Sequence, residues 1–241
     1  SAESVDFLES LQGLVRLDDK RRVFGLFAEA MSGETWQLHS TGEQWGAQKR
    51  SGDSSKTEVE NDSRTVLLPE WIALAEDHAS NERIYLHTIL QRVGWQQFGF
   101  ERSLNEVESL LASFADRQLA LDLLILIEGH RVDWCWQHKL DGVRGWMPNT
   151  LMQMAQQVRA RDSALLSALE LALLLSGHDQ VRLEQLESAK GEIDRTLSEI
   201  LRPLSAAETT WMDSVAVLRQ LYPLVESERA QGLTEWLREV P

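Results

Sequence analysis

Along most of this chain apolar residues recur at the three- and four-residue spacing of a helix face, not in the alternation of a strand. Ser4 can cap a first short helix with Phe7, Leu8 and Leu11 on one side. Asp18 or Asp19 can start a second, whose apolar stripe is Val23, Leu26, Phe27 and Met31 and which Gly33 stops. The pattern then changes. "TWQLHS" at 35–40 and "RTVLLPE" at 64–70 each offer a few β-competent residues, separated by a polar, Gly/Ser-rich stretch. Two short strands are expected to pair across residues 41–64, read as a flexible polar loop.

From Pro69 the helical spacing returns, with Pro69 suited to a helix N-terminus and Trp71, Leu74 and Ala75 as its inward face. Asn81 is expected to start another helix through Tyr85 and Leu90, loosened at Gly94 and Gly99. Further helices are expected at 103–114, 117–140, 147–160, 162–176, 179–201, 206–221 and 224–238. The fold class that follows is mostly α, a multi-helix bundle with a small two-stranded β element near residues 35–68. The whole of 1–241 is read as a single helical domain.

The segment from Leu119 to Leu140 sets the main question. As a helix it puts Leu121, Leu124, Ile125, Glu128, Val132 and Cys135 on one side, and Leu123, Leu126 and Ile127 cover most of the rest. Such a helix belongs at the centre of a bundle, yet it carries Glu128 and Arg131. Three residues apart, these two can pair, and pairing is needed because an uncompensated buried charge costs several kcal/mol. The pair is read as structural. Trp134 and Trp136 lie about 200° apart on the same helix, so one face cannot bury both. One of them must meet another element or a surface, and both are candidate partner-binding anchors.

Composition narrows the chemistry. With 24 Lys and Arg against 38 Asp and Glu, the net charge of -14 disfavours a nucleic-acid partner. The single cysteine, Cys135, excludes an internal disulfide and suits the cytoplasm. No apolar run is long enough for a membrane span, since Glu128 interrupts the best one. There is no GxxxxGK[ST] phosphate loop and no HExxH, and no two of His39, His78, His87, His130, His138 and His178 stand four apart. Asp53-Ser54-Ser55-Lys56-Thr57 fits the D-x-S-x-[ST] pattern of a Mg²⁺-binding von Willebrand factor A domain. That site needs an apolar strand just before the Asp, whereas "QKRSG" stands there, so a polar loop is the better reading. No catalytic residue, metal ligand or cofactor is expected.

Two blocks nevertheless resemble a known family. "ALDLLILIEGHRVDWCWQHKLDGVRGW" is similar to a segment in which an apolar helix leads into Glu-x-x-Arg-[Ile/Val]-[Asp/Glu] and a Tyr-Pro-Gly-like turn, with Asp133 and Gly142 among the matches. "LLPEWIALAEDHASNERIYLHTILQRVGWQQFGF" resembles the block upstream of it, with Pro69, Glu70, Asn81, Tyr85, Gln91, Phe98, Gly99 and Phe100 matching in order and spacing. Leu140-Asp141 stands where the family has Tyr-Pro, and Leu86 where an Arg commonly follows the Tyr. The family is that of the CbbO- and NorD-type proteins, which carry a C-terminal von Willebrand factor A domain and work with MoxR-class AAA+ ATPases.

The resemblance covers roughly residues 66–160 and implies a non-catalytic adaptor, the N-terminal helical region of a longer protein. CbbO-type proteins link a CbbQ ATPase hexamer to inhibited Rubisco in a Rubisco activase. NorD-type proteins act in nitric oxide reductase maturation. The "FGF" ending leans toward CbbO, with an unrelated helical interaction scaffold as the other reading.

Overall fold

The computed structural model describes residues 13–46, 49–51, 64–100, 104–156, 197 and 199–239. They fall into two compact units divided after Gln97, where the sequence suggests one helical domain. The chain is mostly α with a few short strands, and among the described residues no helix is long and apolar enough to cross a membrane. The expected helix of Phe7, Leu8 and Leu11, the 162–176 helix and nearly all of the 179–201 helix lie outside the described residues.

The first unit holds β1 (Val15–Arg16), α1 (Leu17–Ser32), β2 (Gln37–Ser40), β3 (Gln44–Gly46), β4 (Lys49–Ser51), β5 (Thr65–Leu68), β6 (Trp71–Ala73) and α2 (His78–Gln97). The two expected strands do pair: β2 and β5 run parallel, with Gln37 opposite Thr65 and Ser40 opposite Leu68. A second sheet, in the order β1-β6-β3-β4, was not legible in the spacing. Its strands are two or three residues long, too short to show an alternation. Two of them, β3 and β4, lie inside the 41–64 stretch read as loop.

The helix expected from Pro69 is instead strand β6. Glu70 donates its N–H to the Glu43 carbonyl at 2.7 Å and accepts from the Leu17 N–H at 2.9 Å, so its backbone groups are committed to distant segments, just before β3 and at the start of α1, and not to a helical turn. In α1, Arg16 is the N-cap and offers no side-chain bond, while Asp18 and Asp19 sit in the first turn, where the helix dipole favours them. Gly33 closes the helix in the left-handed region at φ 76, its N–H on the Glu29 carbonyl at 2.7 Å.

The inward stripe of α1 differs from the expected one. Leu17, Phe24 and Ala28 are buried, whereas Val23 is 51% and Leu26 58% exposed. Phe24 packs on Tyr85 with ring centroids 4.9 Å apart, and the Arg21 guanidinium reaches the Leu38 carbonyl, which together set the rotation of the helix. α2 begins three residues before Asn81. Asp77 caps it, one carboxylate oxygen accepting from the Ser80 N–H at 2.8 Å and the other from the Ser80 hydroxyl at 2.6 Å. The Ser80 hydroxyl bond, then its N–H, holds the Asp77 pKa below the usual value.

Gly13 is needed for closeness. A Cβ there would stand 2.5 Å from the Glu76 carbonyl oxygen. Gly13→Ala is expected to destabilise the first unit by about 1–3 kcal/mol through overpacking. Urea unfolding followed by circular dichroism reads this, and an unchanged midpoint would contradict the close approach.

The second unit holds α3 (Leu104–Leu111), α4 (Arg117–Lys139), α5 (Asp141–Arg144), α6 (Met147–Gln156), a 3₁₀ turn (Arg202–Ser205) and α7 (Trp211–Glu239). Asp116 caps α4 by accepting from the Leu119 N–H at 2.9 Å. α4 ends at Leu140, whose extended backbone breaks the helix before α5. α7 packs along α4, and the core here includes Leu123, Leu124, Ile127, Val217, Leu218 and Leu221.

Two helices were expected where α7 is one, because Pro223 reads as a stop. Pro223 removes one intrahelical bond, yet buried Leu221 and Tyr222 before it and Val225 after it hold both halves. Tyr222 adds a latch, accepting from the Asp116 N–H at 2.8 Å and donating to Glu226 at 3.1 Å. Burial, first of all, pushes the Tyr222 pKa up.

Candidate functional site: two buried polar clamps and a surface tryptophan

The residues singled out by the sequence separate into two clamps, one in each unit. In the first unit Asn81 is fully buried on α2. Its amide oxygen accepts from the N–H groups of Leu74 at 2.9 Å and Ala75 at 2.8 Å, while its amide nitrogen donates to the carbonyls of Gly13 at 2.6 Å and Ala75 at 2.9 Å. One side chain thus satisfies backbone groups from two other segments, of which the Gly13 carbonyl is buried and those of Leu74 and Ala75 are part-buried. Asn81 was expected to start a helix. Its work instead lies inside one.

One turn on, Tyr85 is fully buried and donates its hydroxyl to the Pro69 carbonyl at 2.9 Å. Burial, then the nearby Glu70 carboxylate, pushes the Tyr85 pKa far above its ordinary value, so the phenol stays a donor. Pro69, Glu70, Asn81 and Tyr85 therefore belong to one structure, the junction of β5, β6 and α2. Gln91 lies half-buried two turns further along α2.

In the second unit Glu128 and Arg131 are 0% and 1% exposed. Arg131 donates from Nε to Glu128 Oε1 at 2.8 Å and from Nη2 to Oε2 at 2.9 Å, a two-pronged pair within one turn of α4. Its remaining donors reach the Phe98 carbonyl at 3.0 Å and the Thr209 carbonyl at 3.3 Å. Burial alone would lower the Arg131 pKa, but the hydrogen bond and charge of Glu128 outweigh it and the pKa stands above the ordinary value. The charges in this apolar helix tie the turn at 98–100 and the segment before α7 to α4.

The other matching positions lie on the turn at 98–100, on α4 and on α5. Phe98 is half-buried and meets Trp136 edge-on at 5.0 Å, Gly99 takes φ 89, Phe100 is buried, and Asp133 is buried on α4. Gly142 lies exposed in α5, just past the helix break at Leu140. Cys135 is half-buried and in no disulfide, beside Arg131; burial raises its pKa, and the Arg131 charge only partly offsets that.

The two candidate anchors part company. Trp136 is completely buried, with the Lys139 ammonium 5.6 Å from its ring, and offers no surface to a partner. That candidate is withdrawn, because the rotation of α4 that buries Glu128 and Arg131 also buries Trp136. Trp134 keeps part of its surface. Its indole N–H donates to the Ala206 carbonyl at 2.9 Å and its ring stacks on His138 at 3.9 Å, so it is held rigidly at the edge of the unit. α4 also exposes Ile125, which shares a side of the helix with buried Leu124 and Glu128.

One polar hub had no sequence signal. Glu34 accepts from Arg64 at 2.8 Å and from Gln96 at 3.0 Å, partners 30 and 62 residues away. Nearby, Trp36 donates to Ser32 Oγ at 2.8 Å and lies under the Arg92 guanidinium at 5.1 Å. Among the described residues no group of three or more His, Cys, Asp or Glu is placed to hold a metal ion. The Asp53–Thr57 pattern lies outside them. No protein-family model, curated protein or solved structure matches the chain.

Proposed function

We propose that this chain is a non-catalytic adaptor module that docks with a MoxR-class AAA+ ATPase hexamer of the CbbQ type in a Rubisco-activating complex. One observation supports the reading. The residues shared with the CbbO and NorD segments are, for the most part, the polar groups and turn residues of the two clamps: Asn81, Tyr85 and Pro69 in one unit, and Arg131, Glu128 and Phe98 in the other. A shared set of buried clamps is what two proteins need to share a scaffold. The identity of the partner comes from the resemblance alone.

On that scaffold Trp134 is the favoured contact. It is aromatic and partly exposed, and its two internal contacts already fix its orientation, so little side-chain entropy is lost on binding. Size-exclusion co-elution of the chain with a CbbQ-type hexamer and nucleotide tests the proposal. Trp134→Ala is expected to weaken binding at least about tenfold, the loss of roughly 1.4 kcal/mol or more typical of an aromatic anchor. If the hexamer ignores the chain but captures a full-length CbbO-type protein, the docking role is wrong. If only the ATPase that serves nitric oxide reductase binds, the NorD reading replaces the CbbO one.

A further inference from the structure

α1 carries a second apolar stripe that faces solvent. With about 100° per residue and Leu26 as the reference direction, Ala30 stands at about 40° and Val23 at about 60° on one flank, and Arg22 at about 40° and Glu29 at about 60° on the other. Phe24 and Ala28, which face the core, lie about 160° away. Arg22, Val23, Leu26, Glu29 and Ala30 are all exposed. Lys20 pairs with Glu82, Arg21 with Asp18 and Glu34 with Arg64, while Asp19, exposed at about 20° on the Val23 flank, marks the N-terminal end of the apolar stripe. Arg22 and Glu29 form no ion pair among the described residues.

The arrangement is self-complementary. In an antiparallel helix pair, each flank meets the same flank of its partner, and residues that meet across it stand within about one residue rise, roughly 1.5 Å, of the same level. A two-fold axis at Leu26 sets Leu26 against its own copy. It sets Val23 against Ala30 of the other copy on one flank, and Arg22 against Glu29 on the other. Both ion pairs then form at once, because Arg22 four residues before the leucine and Glu29 three residues after it come within about 1.5 Å of the same level on the two antiparallel helices. A C2 contact demands this pattern of its single surface.

We propose that the exposed face of α1 is a homodimer contact, two copies of this chain packing α1 antiparallel about Leu26 with reciprocal Arg22–Glu29 pairs. A four-turn helix contact is smaller than the roughly 1,600 Å² of a standard interface, so the dimer is weak and concentration-dependent. It requires no ATPase, and its failure would leave the adaptor reading standing.

Sedimentation equilibrium of the 241-residue chain up to about 1 mM, the weak end of specific affinities, tests it. A monomer–dimer equilibrium is expected. Leu26→Asp should abolish it without altering the circular dichroism, since Leu26 lies outside the core. R22E and E29R alone should each weaken dimerisation about tenfold or more, because each opposes like charges twice. The double variant R22E/E29R restores both pairs with their signs exchanged, and should recover the dissociation constant to within about threefold. A chain that stays monomeric throughout, a dimer that survives Leu26→Asp, or a double variant no better than the single ones would each overturn the proposal.

Discussion

Neutralising or truncating either Glu128 or Arg131 is expected to cost about 3–5 kcal/mol of folding stability, because the survivor is left as a buried charge without its counter-ion. Replacing both with leucine is expected to cost less, about 1–3 kcal/mol. What remains in that variant is the Phe98 and Thr209 carbonyls, which lose the guanidinium donors they accept from. Denaturant unfolding of both single variants and the double one, followed by tryptophan fluorescence and circular dichroism, gives the coupling energy of the pair. Equal losses in all three variants, or no loss in the single ones, would contradict a coupled buried pair.

The second large effect is expected at Asn81. Asn81→Ala leaves the Leu74 and Ala75 N–H groups and the Gly13 carbonyl without the partner they have now. The buried Gly13 carbonyl left unsatisfied costs about 1–3 kcal/mol and the two part-buried N–H groups less each, so a loss of about 2–3 kcal/mol follows. Asn81→Asp separates the amide's two roles. It keeps the acceptor for the two N–H groups but turns a carboxylate toward the carbonyls of Gly13 and Ala75.

The sign of the pH effect follows from that geometry. The two N–H bonds that the introduced carboxyl keeps lower its folded pKa, but complete burial and the two facing carbonyls outweigh them and raise it above the unfolded value of about 3.9. The variant's deficit is therefore full above the folded pKa and shrinks as the pH falls through it, where the protonated acid can donate to Gly13. Unfolding of this variant at about pH 5 and about pH 7.5, each relative to the parent, reads it, with the smaller deficit expected at the lower pH. A deficit independent of pH, or an Asn81→Ala variant as stable as the parent, would show that the clamp contributes little.

Much of the helical framework was legible because its signals are local. The 117–140 spacing matches α4 to within a residue, Gly33 ends α1 in the left-handed region, and Glu128 and Arg131 meet simply because they stand one turn apart. The segments 35–40 and 64–70 read as strands that pair, since β-branched and aromatic residues there break the helical period.

Choices between local alternatives of similar energy belong to the tertiary structure alone. α1 has two apolar stripes, and only the packing of Phe24 on Tyr85 and the reach of Arg21 to Leu38 decide that Val23 and Leu26 face out. On α4 Trp134 and Trp136 have the same composition and nearly the same neighbours, yet Phe98 buries one and Ala206 holds the other at the edge. Pro69 precedes a strand and Pro223 sits within a helix because contacts with distant segments outweigh a local preference of a few kcal/mol. Asn81 shows the same limit most plainly: its four partners lie 6 to 68 residues away. A helical period records which faces are apolar, and burial of a face depends on what the rest of the chain brings to it.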